Sequence, residues 1–205
     1  MTSKLIVNSI RHTGASADAI TMDASGNVTF PANATCSGTA TGFGGGKLLQ
    51  VVQTRVVTTS STANSSFSDT SLVRTITPAS ASNKILCLID MQVGGSHPAS
   101  VVFKLVRFDN NGTGTNIAYS SVSSNNPGFY QSYVNYTGAG IGYYGLFNVG
   151  VNTLDTAVNA AEHSYRVQWR VVQGTAYLNR TGYGTTGTDY SGTGCSTITL
   201  MEVAA

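Results

Sequence analysis

The chain has 205 residues, the length of one ordinary domain or of a domain with a tail. Only 10% of its residues are charged, against a usual share of about 25%, and eleven Lys and Arg against nine Asp and Glu leave a formal charge of +2. That excludes a nucleic-acid binder built on a basic stripe, while 41% hydrophobic residues rule out a disordered chain and supply a core.

Ser and Thr make up about a quarter of the residues, and there are 23 Gly. With abundant Val, Asn and Tyr, this composition favours strands and loops over long helices. Lys4–Ile10 is a short β-type run. Ala19–Phe30 has the form of a hairpin: Ile20 and Met22 alternate, Asp23-Ala-Ser-Gly-Asn27 turns, Val28-Thr-Phe30 returns and Pro31 stops it. Residues 1–46 have too few large apolar side chains for a core of their own and must pack on copies of themselves or on a partner. The stretch Thr41-Gly-Phe-Gly-Gly-Gly46 closes this segment as a hinge.

Residues 47–205 carry period-two alternation. It predicts strands near Leu48–Val57, Leu72–Thr77, Lys84–Val93, Val101–Asp109, Thr115–Ser121, Gly142–Val149, Ser164–Val172, Ala176–Asn179 and Cys195–Val203. In the clearest, Tyr165, Val167, Trp169 and Val171 share one face and Arg166, Gln168 and Arg170 the other. Asn152–Ser164 has the spacing of a helical turn at Ala157, Ala160 and Ala161. Short strands separated by Gly and Asn turns predict an all-β, jelly-roll-like β-sandwich knob on a short β-type N-terminal anchoring segment.

Ile85-Leu-Cys-Leu-Ile89 and Val101-Val-Phe103 are apolar on both faces. One face meets the core; the other is either a subunit interface or a strand covered by loops. Leu88 and Val102 are the candidate interface positions, and a homotrimer is the expected assembly.

Motifs for chemistry are absent. Gly140-Ile-Gly-Tyr-Tyr-Gly145 has dinucleotide-fingerprint spacing but precedes a β-like run, not a helix. His12, His97 and His163 are isolated, and Cys36, Cys87 and Cys195 are too far apart for a zinc motif. Cys87, among Leu and Ile, is expected to be a buried small hydrophobe. No cofactor, metal or catalytic residue is expected. The opening residues lack a signal peptide's apolar stretch and no run is long enough for a membrane helix, so synthesis in a cytoplasm without membrane insertion is expected.

Tyrosine stands out. Tyr119, Tyr130, Tyr133, Tyr136, Tyr143 and Tyr144 crowd into residues 119–144 among Asn, Ser and Gly, the chemistry of adaptable recognition surfaces. If each connection reverses direction, the loops Thr58–Ser71, Gly94–Ser100 and Val122–Ile141 gather at the end away from the N-terminus. There Phe129, Tyr130 and Tyr133 are candidates for stacking on sugar rings, and Asn125, Asn126 and Gln131 for bonding hydroxyls. With little charge nearby, the expected ligand is a neutral or weakly charged glycan, not nucleic acid.

Four stretches carry a resemblance: Thr75-Ile-Thr-Pro-Ala-Ser-Ala-Ser-Asn-Lys-Ile-Leu86, Tyr165-Arg-Val-Gln-Trp-Arg170, Thr175-Ala-Tyr-Leu-Asn-Arg180 and Ser196-Thr-Ile-Thr-Leu-Met-Glu202. Together with Lys4-Leu-Ile-Val-Asn-Ser-Ile10 and Ala19-Ile-Thr-Met-Asp-Ala-Ser-Gly-Asn-Val-Thr-Phe-Pro31, they resemble a module of tail fibre and virion structural proteins of tailed bacteriophages, of the type found in phages of aquatic bacteria. The resemblance implies a trimeric β-rich knob on a short anchoring segment and gives no residue a chemical role. It leads to the expectation of a non-enzymatic virion protein. Residues 1–46 would dock on other virion proteins, and residues 47–205 would attach the particle to a host surface glycan as a short tail fibre. A capsid decoration or cement protein and a polysaccharide depolymerase are the alternatives.

Overall fold

The computed structural model describes residues 7–31, 48–96, 99–120, 128–134, 144–183 and 191–205, with the backbone alone for 99 and 130–134. The chain divides into two compact units, Met1–Gly45 and Gly46–Ala205.

The first unit is an antiparallel sheet of β1 (Ser9–Ile10), β2 (Ile20–Met22) and β3 (Val28–Thr29) in chain order. Asp23 shapes the β2–β3 turn: its Oδ1 accepts the N–H of Ser25 and of Asn27, each at 2.9 Å. Gly26 takes φ +83°, a conformation glycine adopts without steric cost. The register puts Ser9, Thr21 and Thr29 on one face and Ile10, Ile20, Met22 and Val28 on the other. None of these apolar residues is buried, because so few short strands cannot enclose a core.

The second unit is all β. Its strands are β4 (Leu48–Val56), β5 (Ser60–Thr62), β6 (Ser68–Ile76), β7 (Lys84–Gly95), β8 (Ala99–Phe108), β9 (Gly114–Ala118), β10 (Tyr130–Val134), β11 (Phe147–Thr156), β12 (His163–Gln173), β13 (Ala176–Leu178) and β14 (Ser196–Val203). Every pairing is antiparallel. One sheet has the order β4-β14-β7-β11, with β13 pairing the end of β7 and β5 pairing β13. The other has the order β6-β12-β8, and β9 and β10 share the free edge of β8. The chain crosses from the first sheet to the second at β5–β6, β7–β8 and β11–β12, and returns at β6–β7, β10–β11 and β12–β13. Two sheets linked this way form the double Greek key of a jelly roll.

Alternation decides what each strand buries. Ile85, Cys87, Ile89 and Met91 of β7 face Tyr165, Val167, Trp169 and Val171 of β12 across one hydrophobic core. Phe103 lies between the layers with its ring centroid 6.3 Å from that of Trp169. Cys87 is buried as the sequence predicts, and burial pushes its thiol well above the ordinary value.

Several predicted elements differ, and the loop expected at Thr58–Ser71 contains β5 and the start of β6. The strand expected at Gly142–Val149 lies instead at Phe147–Thr156 and takes the first five residues of Asn152–Ser164, where a helical turn was expected; Ala157, Ala160 and Ala161 follow the strand without forming a helix. Residues 147–156 pair with β7 along their whole length, and that ladder outweighs the alanine spacing after it. The stretch Val122–Ile141, expected as one loop, contains β10, paired with β8 from Tyr130↔Phe103 to Val134↔Ala99.

The candidate interface positions also separate. Val102 is fully buried within its own chain. The segment at Gly128 lies over it so closely that a Cβ there would come within 2.5 Å of Val102 Cγ1. Val102 is therefore a covered strand position and not a surface for a partner. Leu88 stays half-exposed on the outer face of β7. Beside it, register aligns Val51, Met201, Leu86 and Leu154 in one apolar row across four strands. Its two ends, Val51 and Leu154, are 50% and 59% exposed.

Candidate functional site

Strand direction gives the knob two distinct ends. Leu48 pairs with Val203 at the end where β4 begins, and Val56 pairs with Ser196 at the other. Gly95 pairs with Ala176, and Val134 with Ala99, at that second end. The loop after β4 and residues 144–146 and 179–183 therefore gather away from the start of β4.

The polar clusters at the β4-start end are sealed. Arg107, on β8, donates from Nε to Asp109 Oδ1 at 2.9 Å and from Nη1 to Asp155 Oδ2 at 2.5 Å. Tyr165 donates to the same Asp155 oxygen at 2.7 Å. His163 Nδ1 lies 3.0 Å from Asp109 Oδ1, off the axis of a hydrogen bond. Burial pushes the Tyr165 hydroxyl far above its ordinary value, with the Asp155 charge adding to it. Burial works against the charge on Arg107, and Asp155 and Asp109 more than offset it. His163 and Tyr165 have no exposed surface, so a substrate cannot reach them; this cluster clasps the turn after β11 to β8.

Glu202, also fully buried, accepts from Gln50 Nε2 and Asn83 Nδ2 at 2.6 Å each and from Ala79 N at 2.7 Å. Among the described residues, no group of three His, Cys, Asp or Glu is placed to hold a metal ion.

The far end is held by Asn179, at φ +60°. Its Nδ2 donates to Val56 O at 2.9 Å and to Thr58 O at 3.0 Å, and its Oδ1 accepts from Ser196 Oγ at 2.6 Å. This ties the end of β4, the end of β13 and the start of β14 together. The backbone after Asn179 passes over Gly94, where a Cβ would collide with Arg180 O.

Aromatic groups surround that frame. Tyr144 and Tyr183 lie with ring centroids 5.0 Å apart, 36% and 40% exposed. The Arg180 guanidinium lies 3.6 Å from the Tyr177 ring centroid. From the loop before β6, Phe67 reaches the outer face of the second sheet, with Lys104 Nζ 4.4 Å and Arg170 Cζ 5.4 Å from its centroid.

The predicted recognition residues are distributed unevenly. Tyr130, Gln131 and Tyr133 lie on β10, at the edge of the second sheet. Asn125 and Asn126 lie outside the described residues. Phe129 turns inward: its N–H bonds Phe103 O at 2.8 Å, and its ring stacks on Phe103 with centroids 6.3 Å apart. It packs against the core, which removes it from the set free to stack on a sugar. Phe67, Lys104, Arg170 and Tyr183 were missed. Lys104 had a signal, as a cation in the middle of an apolar strand, but its meeting with Phe67 depends on the loop path.

No family model matches the chain, and no curated protein matches it.

Proposed function

We propose that the chain is a non-enzymatic virion protein of a tailed bacteriophage, a short tail fibre that attaches the particle to a host surface glycan. The observation that carries this reading is the division of labour in the fold. Buried polar clasps hold the knob at the end where β4 begins. The other end gathers connecting loops with exposed tyrosines on a rigid frame, the arrangement by which scaffolds carry recognition.

Two uncovered apolar surfaces support an assembled state. One is the Ile10, Ile20, Met22 and Val28 face of the first unit, which would dock on other virion proteins. The other is the Val51–Met201–Leu86–Leu154 row beside Leu88, which would join copies into a homotrimer.

The test is particle adsorption to host cells after changing Tyr130, Tyr133, Tyr144 and Tyr183 to Ser together. Phe129 is left intact because it packs against the core. Loss of adsorption by fully assembled particles is the expected result; unchanged adsorption would contradict it.

A further inference from the structure

We propose that the outer face of β8 and β12 beside Phe67 binds an anionic sugar unit, such as a uronate or a phosphorylated residue. The inference rests on the glycan-attachment reading and names its ligand class.

The register sets Lys104, Gln168 and Asp69 side by side on three adjacent strands. Arg166 and Arg170 flank Gln168 on β12, two positions to either side on the same face. Both oxygens of Asp69 are engaged away from Lys104: Oδ2 by Arg166 Nη1 at 2.9 Å and Oδ1 by Gln168 Nε2 at 2.7 Å. No carboxylate among the described residues lies within ion-pair distance of Lys104. Lys104, Arg166 and Arg170 thus share this face with the carboxylate of Asp69, and Arg170 Nη1 also donates to Ser65 O at 3.4 Å.

Lys104 is half-buried, and that loss of solvent works against its positive charge. It nevertheless shares the Phe67 ring with the Arg170 guanidinium. Like charges converging on one aromatic face repel, and a bound anion relieves the repulsion. The patch adjoins β10, since β10 pairs with Phe103, the neighbour of Lys104. A glycan held there would reach the β10 edge. Nucleic acid fits poorly, because its binding rests on many phosphate contacts along the backbone and this patch offers few cations.

The probe is oligogalacturonate, compared with its fully methyl-esterified form, which keeps the sugar backbone and removes the charge. Calorimetry on the full chain should show binding of the anionic form at low salt that weakens as salt is raised. Lys104→Gln with Arg170→Gln should weaken that binding by at least about tenfold, the value of one charge-assisted contact, at an unchanged melting temperature. Lys104→Arg should retain it. Equal binding of the methyl-esterified form overturns the inference while leaving glycan attachment standing. It is also overturned by no binding of the anionic form, by binding insensitive to the double substitution, or by tighter binding of a single-stranded DNA of matched charge.

Discussion

Glu202 and Asn83, 119 positions apart in the chain, are joined by a 2.6 Å hydrogen bond in a buried site. The bond closes the last strand onto the turn that launches β7. Both residues are thereby accounted for by folding.

Glu202 should make the knob acid-sensitive. Burial pushes its carboxyl upward, but hydrogen bonds from Gln50, Asn83 and Ala79 more than reverse this and leave it below the ordinary 4.5. A carboxyl lowered in the folded state stabilises above its unfolded value, and the contribution is lost as pH falls through the folded value. Glu202→Gln should cost about 1–3 kcal/mol at neutral pH, because its amide cannot accept all three bonds. Thermal melts should show the gap between native and variant closing below about pH 4.5; a gap independent of pH would contradict this.

Arg107 is the cation on which two largely buried carboxylates depend. Arg107→Met should destabilise the knob by about 3–5 kcal/mol, since it leaves buried charge uncompensated. Tyr165→Phe removes one of several partners of Asp155 and should cost only about 1 kcal/mol. Urea titrations of the two variants check the order.

Asn179 combines a left-handed backbone with side-chain bonds to three other residues. Asn179→Gly keeps the backbone and loses the bonds, whereas Asn179→Ala loses both. The alanine variant should therefore be the less stable by about 1–2 kcal/mol, the cost of that conformation for a residue with a Cβ. Equal melting temperatures would contradict the role given to the backbone.

The two compact units predict that residues 47–205 fold alone. A chain beginning at Lys47 should give one cooperative melt, with near-ultraviolet circular dichroism from the buried Trp169. A molten state would mean that the first unit contributes to the knob's core.

The fold was largely legible because alternation survives wherever a strand has one buried face. Tyr165 to Val171 is the clearest instance, and Ile20 with Met22 marks the small hairpin. Legibility failed on edge strands. β10 and the second half of β11 are polar, and their pairing is specified by β8 and β7, not by their own composition. The candidate site was less legible for a related reason. Phe129 looks like a free aromatic beside Tyr130, yet the backbone bond to Phe103 turns it inward. Lys104, Arg170 and Phe67 come from three separate segments, so no local window shows the charge they concentrate.

A density map of the intact virion at side-chain resolution tests the central claim most directly. The account predicts three copies of the knob around an axis at the tail, with residues 1–46 against other tail proteins and the Tyr144–Tyr183 end facing outward. Knobs arrayed on the capsid lattice, or Tyr144 and Tyr183 buried against the particle, would contradict it.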